Sequence, residues 1–129
     1  ARSVMDAYSR QVPDTIARLN RRIDEVVSRT PPGRLALWGA GIHTSQLLSD
    51  TRLARVPLRC IFDNDQKKAG HALKAVPIKT FPADPAQAKQ EIDAILISSL
   101  ASEDELWAQL RPLERHGIRI YRLYGPQSD

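Results

Sequence analysis

The run Leu35-Ala36-Leu37-Trp38-Gly39-Ala40-Gly41 constrains the chain more than any other part of it. An apolar stretch of strand length stops at two glycines separated by one residue. Beyond them, Ile42 to Ser49 suits a helix, with Ile42, Leu47 and Leu48 able to face a sheet. A strand that passes through Gly-x-Gly into a helix carries its main chain close to whatever lies at the strand's carboxyl end. The first glycine permits the tight turn and the second lets backbone approach a phosphate. The opening N–H groups of the helix then offer partial positive charge to an anion. Gly39, Ala40, Gly41, His43 and Thr44 are therefore candidate ligand-binding residues. Thr44 stands where the usual fingerprint has its third glycine, which is expected to loosen the fit to a dinucleotide without excluding a phosphate.

The flanking pattern says what kind of sheet holds this turn. Up to about Arg29 the chain reads as an amphipathic helix, with Ile16, Leu19, Ile23, Val26 and Val27 in one stripe and Pro13 expected in its first turn. Thr30-Pro31-Pro32-Gly33 stops it. After the glycine turn come a second strand at Leu58–Phe62, a short edge strand at Val76–Ile78, and a polar connection from Pro82 to Glu91. Ala94-Ile95-Leu96-Ile97 is continuously apolar, as in a strand covered on both faces. Ser102-Glu103-Asp104-Glu105 reads as a capping box, and Leu106, Leu110 and Leu113 as the apolar face of the helix it opens. Pro112 is expected to kink that helix and Gly117 to end it, before a last strand at Ile118–Leu123. Strands alternating with helices imply crossover units and a mainly parallel sheet. The expected fold is α/β and Rossmann-like, with four or five strands, helices on both faces and an N-terminal amphipathic helix in front. Residues 1–33 are read as that helix and its linker, and 34–129 as the nucleotide-binding-type domain.

In such sheets ligands bind outside the carboxyl ends of the strands, where strand order reverses. Two further segments should meet the glycine turn there. Asp63, 24 residues after Gly39, ends the second strand and could accept hydrogen bonds from ribose hydroxyls. Asp63-Asn64-Asp65 is equally ordinary turn chemistry, so both readings stand for Asp63 and Asn64. Ser98 and Ser99 end the apolar strand and could touch a ligand or cap the chain before the next helix. No carboxylate or nucleophile lies near His43 in sequence, and the positive helix end should favour its neutral form. No catalytic residue is assigned. His71, His116 and Cys60 lack metal-ligand spacing, so no metal site is expected.

Composition narrows the partners. A net charge of +4 permits nucleic-acid binding, but Arg18, Arg21, Arg22 and Arg29 are interleaved with Asp14, Asp24 and Glu25, and aromatics are few. That argues for a solvated helix face and against nucleic acid. No apolar run approaches the roughly 20 residues of a membrane span, and no signal sequence is recognisable. The single Cys60, read as a buried small hydrophobe, fits a reducing, cytoplasmic setting. The start at Ala1 suits a processed product or an excised domain.

Trp38-Gly39-Ala40-Gly41, then Ile61-Phe62-Asp63-Asn64-Asp65 with Lys68 and Gly70, then Val76-Pro77-Ile78 and Ile92–Ser99 together resemble a widespread bacterial pattern. It is similar to the Rossmann-like domains of surface-polysaccharide and sugar-nucleotide proteins, among them the amino-terminal domains of sugar-nucleotide acetyltransferases and CoA-binding-like domains. Related modules are appended to methyltransferases and glycosyltransferases. The resemblance covers roughly Leu35 to Tyr124 and departs from the pattern at Thr44 and at Ala75, where a glycine often stands. It implies a site for a nucleotide, NAD(P) or a nucleotide-sugar at Gly39, Gly41 and Asp63, in a binding module of a larger polysaccharide-biosynthesis protein. Two alternatives remain open. One is a fragment of an NAD-dependent oxidoreductase or S-adenosylmethionine methyltransferase. The other is a protein-interaction domain with a degenerate site. Expected partners are a small nucleotide ligand, other domains of a parent protein, and a second copy docked through the N-terminal helix.

Overall fold

The computed structural model describes residues 4–127, with side chains from residue 15 onward. Its centre is β1 (Leu35–Trp38), every residue of which is buried. The strand pairs in parallel with β2 (Leu58–Phe62) on one side and with β5 (Ala94–Ile97) on the other. Outside β2 lies β4 (Val76–Lys79), and outside β5 lies β6 (Arg119–Arg122), both parallel. Among the described residues the sheet has six strands; with β3 (Ala72–Leu73) at one edge, their order is β3-β4-β2-β1-β5-β6. This corrects the expected four or five. The extra strand is β3 (Ala72–Leu73), which forms an antiparallel edge with β4. Two residues carry no alternation, so no periodicity could reveal it.

Alternation along β1 builds two cores. Leu35 and Leu37 face one layer, with Leu19, Ile23 and Val26 of α1 (Val4–Ser28) and Leu47 and Leu48 of α2 (Ile42–Asp50). Ala36 and Trp38 face the other layer. There they meet Ala88 of α3 (Pro85–Lys89) and Leu106, Trp107 and Leu110 of α4 (Glu103–Leu110). Helices on both faces are what right-handed crossovers between parallel strands produce. The α/β fold with a mostly parallel sheet is as expected. Cys60 lies in the second core, where burial pushes its thiol up to about 11.

Three local expectations need correcting. First, α1 runs through Pro13 instead of beginning there; one missing N–H has not ended the helix, whose later turns bury Leu19, Ile23 and Val26. Second, Ser102 makes no side-chain cap for α4. Its own N–H instead donates to Ser99 Oγ at 3.3 Å. Third, Arg22 is not on a solvated face. Its Nε donates to the carbonyl of Arg122 at 2.8 Å and its guanidinium stacks 5.7 Å from the Tyr121 ring centroid. Past Leu110 the chain tightens into a 3₁₀ turn over Arg111–His116, as Pro112 requires, and Gly117 closes it at φ 80°.

The carboxyl-terminal segment is fastened to α4 by Glu103. Its buried carboxylate pairs with Arg122 Nε at 3.1 Å and accepts the N–H groups of Leu123, Tyr124 and Gly125. Tyr124 is thereby brought beside the start of α2.

The turn joining β3 to β4 contains Lys74 and Ala75, both at positive φ, 48° and 68°. A side chain in the left-handed region costs roughly 1–2 kcal/mol, of which glycine's extra chain entropy offsets only part. Ala75→Gly is therefore expected to stabilise the fold by about 0.5–1 kcal/mol, read as a raised urea midpoint at unchanged slope.

Candidate functional site

Strand order reverses at β1, because β2 and β5 leave it on opposite sides. The carboxyl ends of β1 and β5 thus flank a crevice, the usual ligand position in open parallel sheets. A cavity of about 580 Å³ opens there, lined by the glycine turn, the first residues of α2, Asp63, Lys68, Ser99, Leu100 and Ala101. The structure therefore gathers Gly39, Ala40, Gly41, His43, Thr44, Asp63 and Ser99 around one space. Asn64 lies outside it, in an adjoining cavity of about 190 Å³ that shares Gly39, Asp63 and Ser99.

The two glycines differ in what they do. Gly39 sits at φ 113°, and a Cβ there would stand 3.0 Å from that of Ser99. Only glycine lets the end of β1 pass so close to β5. Its N–H donates to the Phe62 carbonyl at 2.8 Å, extending the β1–β2 pairing by one residue. Gly41 has ordinary backbone, φ −110°, and a Cβ built on it meets nothing within 4 Å. It is the N-cap of α2 and supplies no capping side chain. The first helical bond runs from Ser45 N–H to the Gly41 carbonyl at 3.1 Å. The N–H groups of Ile42, His43 and Thr44 precede that bond, so the uncapped positive end of α2 opens on the cavity.

Asp63 faces the turn. Its Oδ2 accepts the Ala40 N–H at 2.7 Å and its Oδ1 the Asp65 N–H at 2.8 Å. Ala40 thus spends its N–H on Asp63, and Asp63 shapes the turn from beneath it. Lys68 closes the same corner: its Nζ donates to the Ala40 carbonyl at 3.1 Å and lies 3.7 Å from Asp63 Oδ2. The lysine is 41% exposed, so its charge reaches the cavity.

Thr44 and Ser98 act from behind. Thr44 is 1% exposed, and its hydroxyl bonds to the Gly39 carbonyl and to Ser98 Oγ, the latter at 2.7 Å. Ser98 has no accessible surface, and its Oγ also lies 3.1 Å from the Trp38 carbonyl. The residue in the third-glycine position therefore stitches α2 to the ends of β1 and β5. Ser98 is beyond a ligand's reach, and Ser99 is the serine that lines the cavity.

His43 pairs through Nε2 with the Tyr124 hydroxyl, the rings lying 5.4 Å apart. Its pKa is lowered, and the cause is burial of the ring. Lys68, Leu100, Ala101 and Tyr124 were not in the site read from sequence. For Lys68 the available signal was Asp65, which caps the 3₁₀ turn Gln66–Lys68 and folds the lysine back. Leu100 and Ala101 simply follow Ser99; Tyr124 gave no signal. Among the described residues no group of three or more His, Cys, Asp or Glu could hold a metal ion, and no helix is long and apolar enough to cross a membrane.

No family model matches the chain, and no curated protein matches it. Among solved structures it is similar to a mutant of perosamine N-acetyltransferase from Caulobacter crescentus in complex with CoA and GDP-perosamine. The identity is 20% and the TM-score 0.49, with 69% of this chain and 41% of that one covered. The chain thus spans less than half the length of that protein.

The geometry separates two substitutions. Gly39→Ala should lower stability by about 1–3 kcal/mol, the usual cost of forcing a side chain into such backbone. Gly41→Ala should fold as stably as the parent within about 0.5 kcal/mol. Denaturant titration of the pair checks both.

A lowered histidine pKa also has a sign. The unfolded chain takes up the proton more readily than the native one, so stability falls as pH drops below the ordinary value of about 6.5. His43→Gln should flatten that fall between pH 7 and pH 5, as measured by urea midpoints across the range.

Proposed function

We propose that the chain is a binding module for a phosphate-bearing nucleotide or nucleotide-sugar. The observation that carries this reading is the cavity in which the uncapped end of α2, the open Cβ position of Gly41 and the Lys68 ammonium face one another. An anion there would meet the opening N–H groups of α2 on one side and, on the other, the Lys68 ammonium, whose charge Asp63 partly offsets. The space, about 580 Å³, suits a ligand of nucleotide size. The resemblance carried by Trp38–Gly41, Ile61–Asp65 and Ile92–Ser99 adds the setting, a larger protein of polysaccharide biosynthesis in the cytoplasm.

One observation favours a different reading. Ile42 is 81% exposed and Leu100 53%, both at the cavity mouth. Apolar side chains around an opening also suit a protein partner, and a site degenerate for nucleotides would leave that as the function. The enzyme reading has less behind it, since His43 is bonded to Tyr124 and no hydrogen bond joins it to Ser99 or another side chain of the cavity lining.

The test is thermal denaturation with NAD, NADP, S-adenosylmethionine, coenzyme A and several nucleotide-sugars. A ligand at about 100 times its dissociation constant adds roughly 2.7 kcal/mol, a shift of several degrees for a domain of this size. A nucleotide or nucleotide-sugar should give that shift, Lys68→Met should reduce it, and Gly41→Val should abolish it while remaining folded. No shift with any of them would leave the interaction reading in its place.

A further inference from the structure

On its β5 side the sheet ends at β6. An outer strand leaves every second residue's N–H and C=O pointing away from the sheet, which makes it a template for another strand. Arg119 N–H donates to the Asp93 carbonyl at 2.9 Å, so Arg119 and Tyr121 aim their backbone groups at β5. Ile120 and Arg122 aim theirs outward. All four outward groups are nevertheless occupied, and every occupant is a side chain. Gln127 Nε2 donates to the Ile120 carbonyl at 2.8 Å, and Gln127 Oε1 accepts the Arg122 N–H at 3.1 Å. Glu114 Oε2 accepts the Ile120 N–H at 3.4 Å, and Arg22 Nε donates to the Arg122 carbonyl at 2.8 Å. Arg22 Nη2 also holds Gln127 Oε1 at 2.7 Å.

Gln127 thus stands in for a strand. One residue of an added parallel strand would donate to the carbonyl of 120 and accept the N–H of 122, and the side-chain amide does both. The edge beneath is self-complementary, with two donors and two acceptors on Ile120 and Arg122. A second copy laid antiparallel, with Tyr121 facing Tyr121 across a twofold axis, sets Ile120 against Arg122 and matches every one of those groups. In that register Arg119 falls opposite Leu123, so no two arginines meet. The charges of the strand have carboxylates within the chain: Glu103 and Asp104 for Arg122, and Glu114, at 3.9 Å, for Arg119. The edge therefore fits a copy of itself better than a strand chosen for acidic side chains.

We propose that Gln127 is an autoinhibitory cover on β6, and that its release lets this edge pair with β6 of a second copy to form one continuous sheet. Arg22, tied to Gln127 through the same oxygen, gives up the Arg122 carbonyl with it. This interface is separate from docking through the N-terminal helix, and it does not depend on the nucleotide reading.

Hydrogen exchange and light scattering on the native chain, Gln127→Ala and Gln127→Met test the proposal, with near-UV circular dichroism to show that the variants keep native packing. In the native chain the Arg122 amide should be equally protected at low and high protein concentration. In dilute solution of either variant it should exchange roughly tenfold faster, as the loss of one hydrogen bond implies. At high concentration the variants should exceed the native mass, and protection should return at Ile120 and Arg122 together. Native mass at every concentration with a fast Arg122 amide would mean that the edge opens and nothing pairs, which overturns the proposal. It is overturned equally if that amide stays protected in the dilute variants, since Gln127 is then not the cover. Added mass without protection at Ile120 and Arg122 would place the association on another surface and sink it as well.

Discussion

The bond from the Ala40 N–H to Asp63 sets the form of the carboxyl edge. It anchors the middle of the Gly-Ala-Gly turn to the end of β2 at 2.7 Å, and Lys68 then locks the opposite side of the same peptide through the Ala40 carbonyl. With residue 40 fixed on both faces, Gly39 is left to pass Ser99 at close range and Gly41 to open α2. Thr44 and Ser98 secure the first turn of that helix from the buried side. The cavity is therefore a consequence of how β1 ends, and its positive character follows from a helix that begins without a capping side chain.

This arrangement divides labour among residues that looked alike in the sequence. Asp63, Thr44 and Ser98 hold the turn, while Gly41, Lys68 and Ser99 face the space. A carboxylate that accepts two backbone N–H groups has less to offer a ribose than one left open. Burial explains the state of His43 better than the helix end does, because the ring lies against Tyr124, placed there by the amide nest around Glu103.

Much of the fold was legible because period and punctuation agree. Leu35–Trp38 and Ala94–Ile97 are uninterrupted apolar runs, and proline follows closely on the ends of α1 and α4. Legibility failed where structure depends on distant partners or on very short elements. β3 has two residues and exists only because the strained Lys74–Ala75 turn folds it onto β4. Ser102 has the residue type of a cap, yet Ser99 takes its N–H. At the site, local residues could be named from the turn itself. Lys68 was legible only in part, since Asp65 marks the turn that carries it but its contact with Ala40 spans 28 positions. Asp63 was ambiguous for a physical reason: an aspartate at a strand end suits a ribose or a turn equally, and only coordinates show which way it faces.

On the proposed reading, the open turn of α2 takes the phosphate of a nucleotide. Amide NMR of the isotope-labelled chain, titrated with a nucleoside diphosphate, tests it most directly. Saturable shifts centred on the N–H groups of Gly41, Ile42, His43 and Thr44, with Lys68 and Ser99 following, are the expected result. Shifts confined elsewhere, for instance to the apolar hollow of Val27, Leu35 and Val56 at the opposite edge of the sheet, would contradict it, as would a spectrum that does not change.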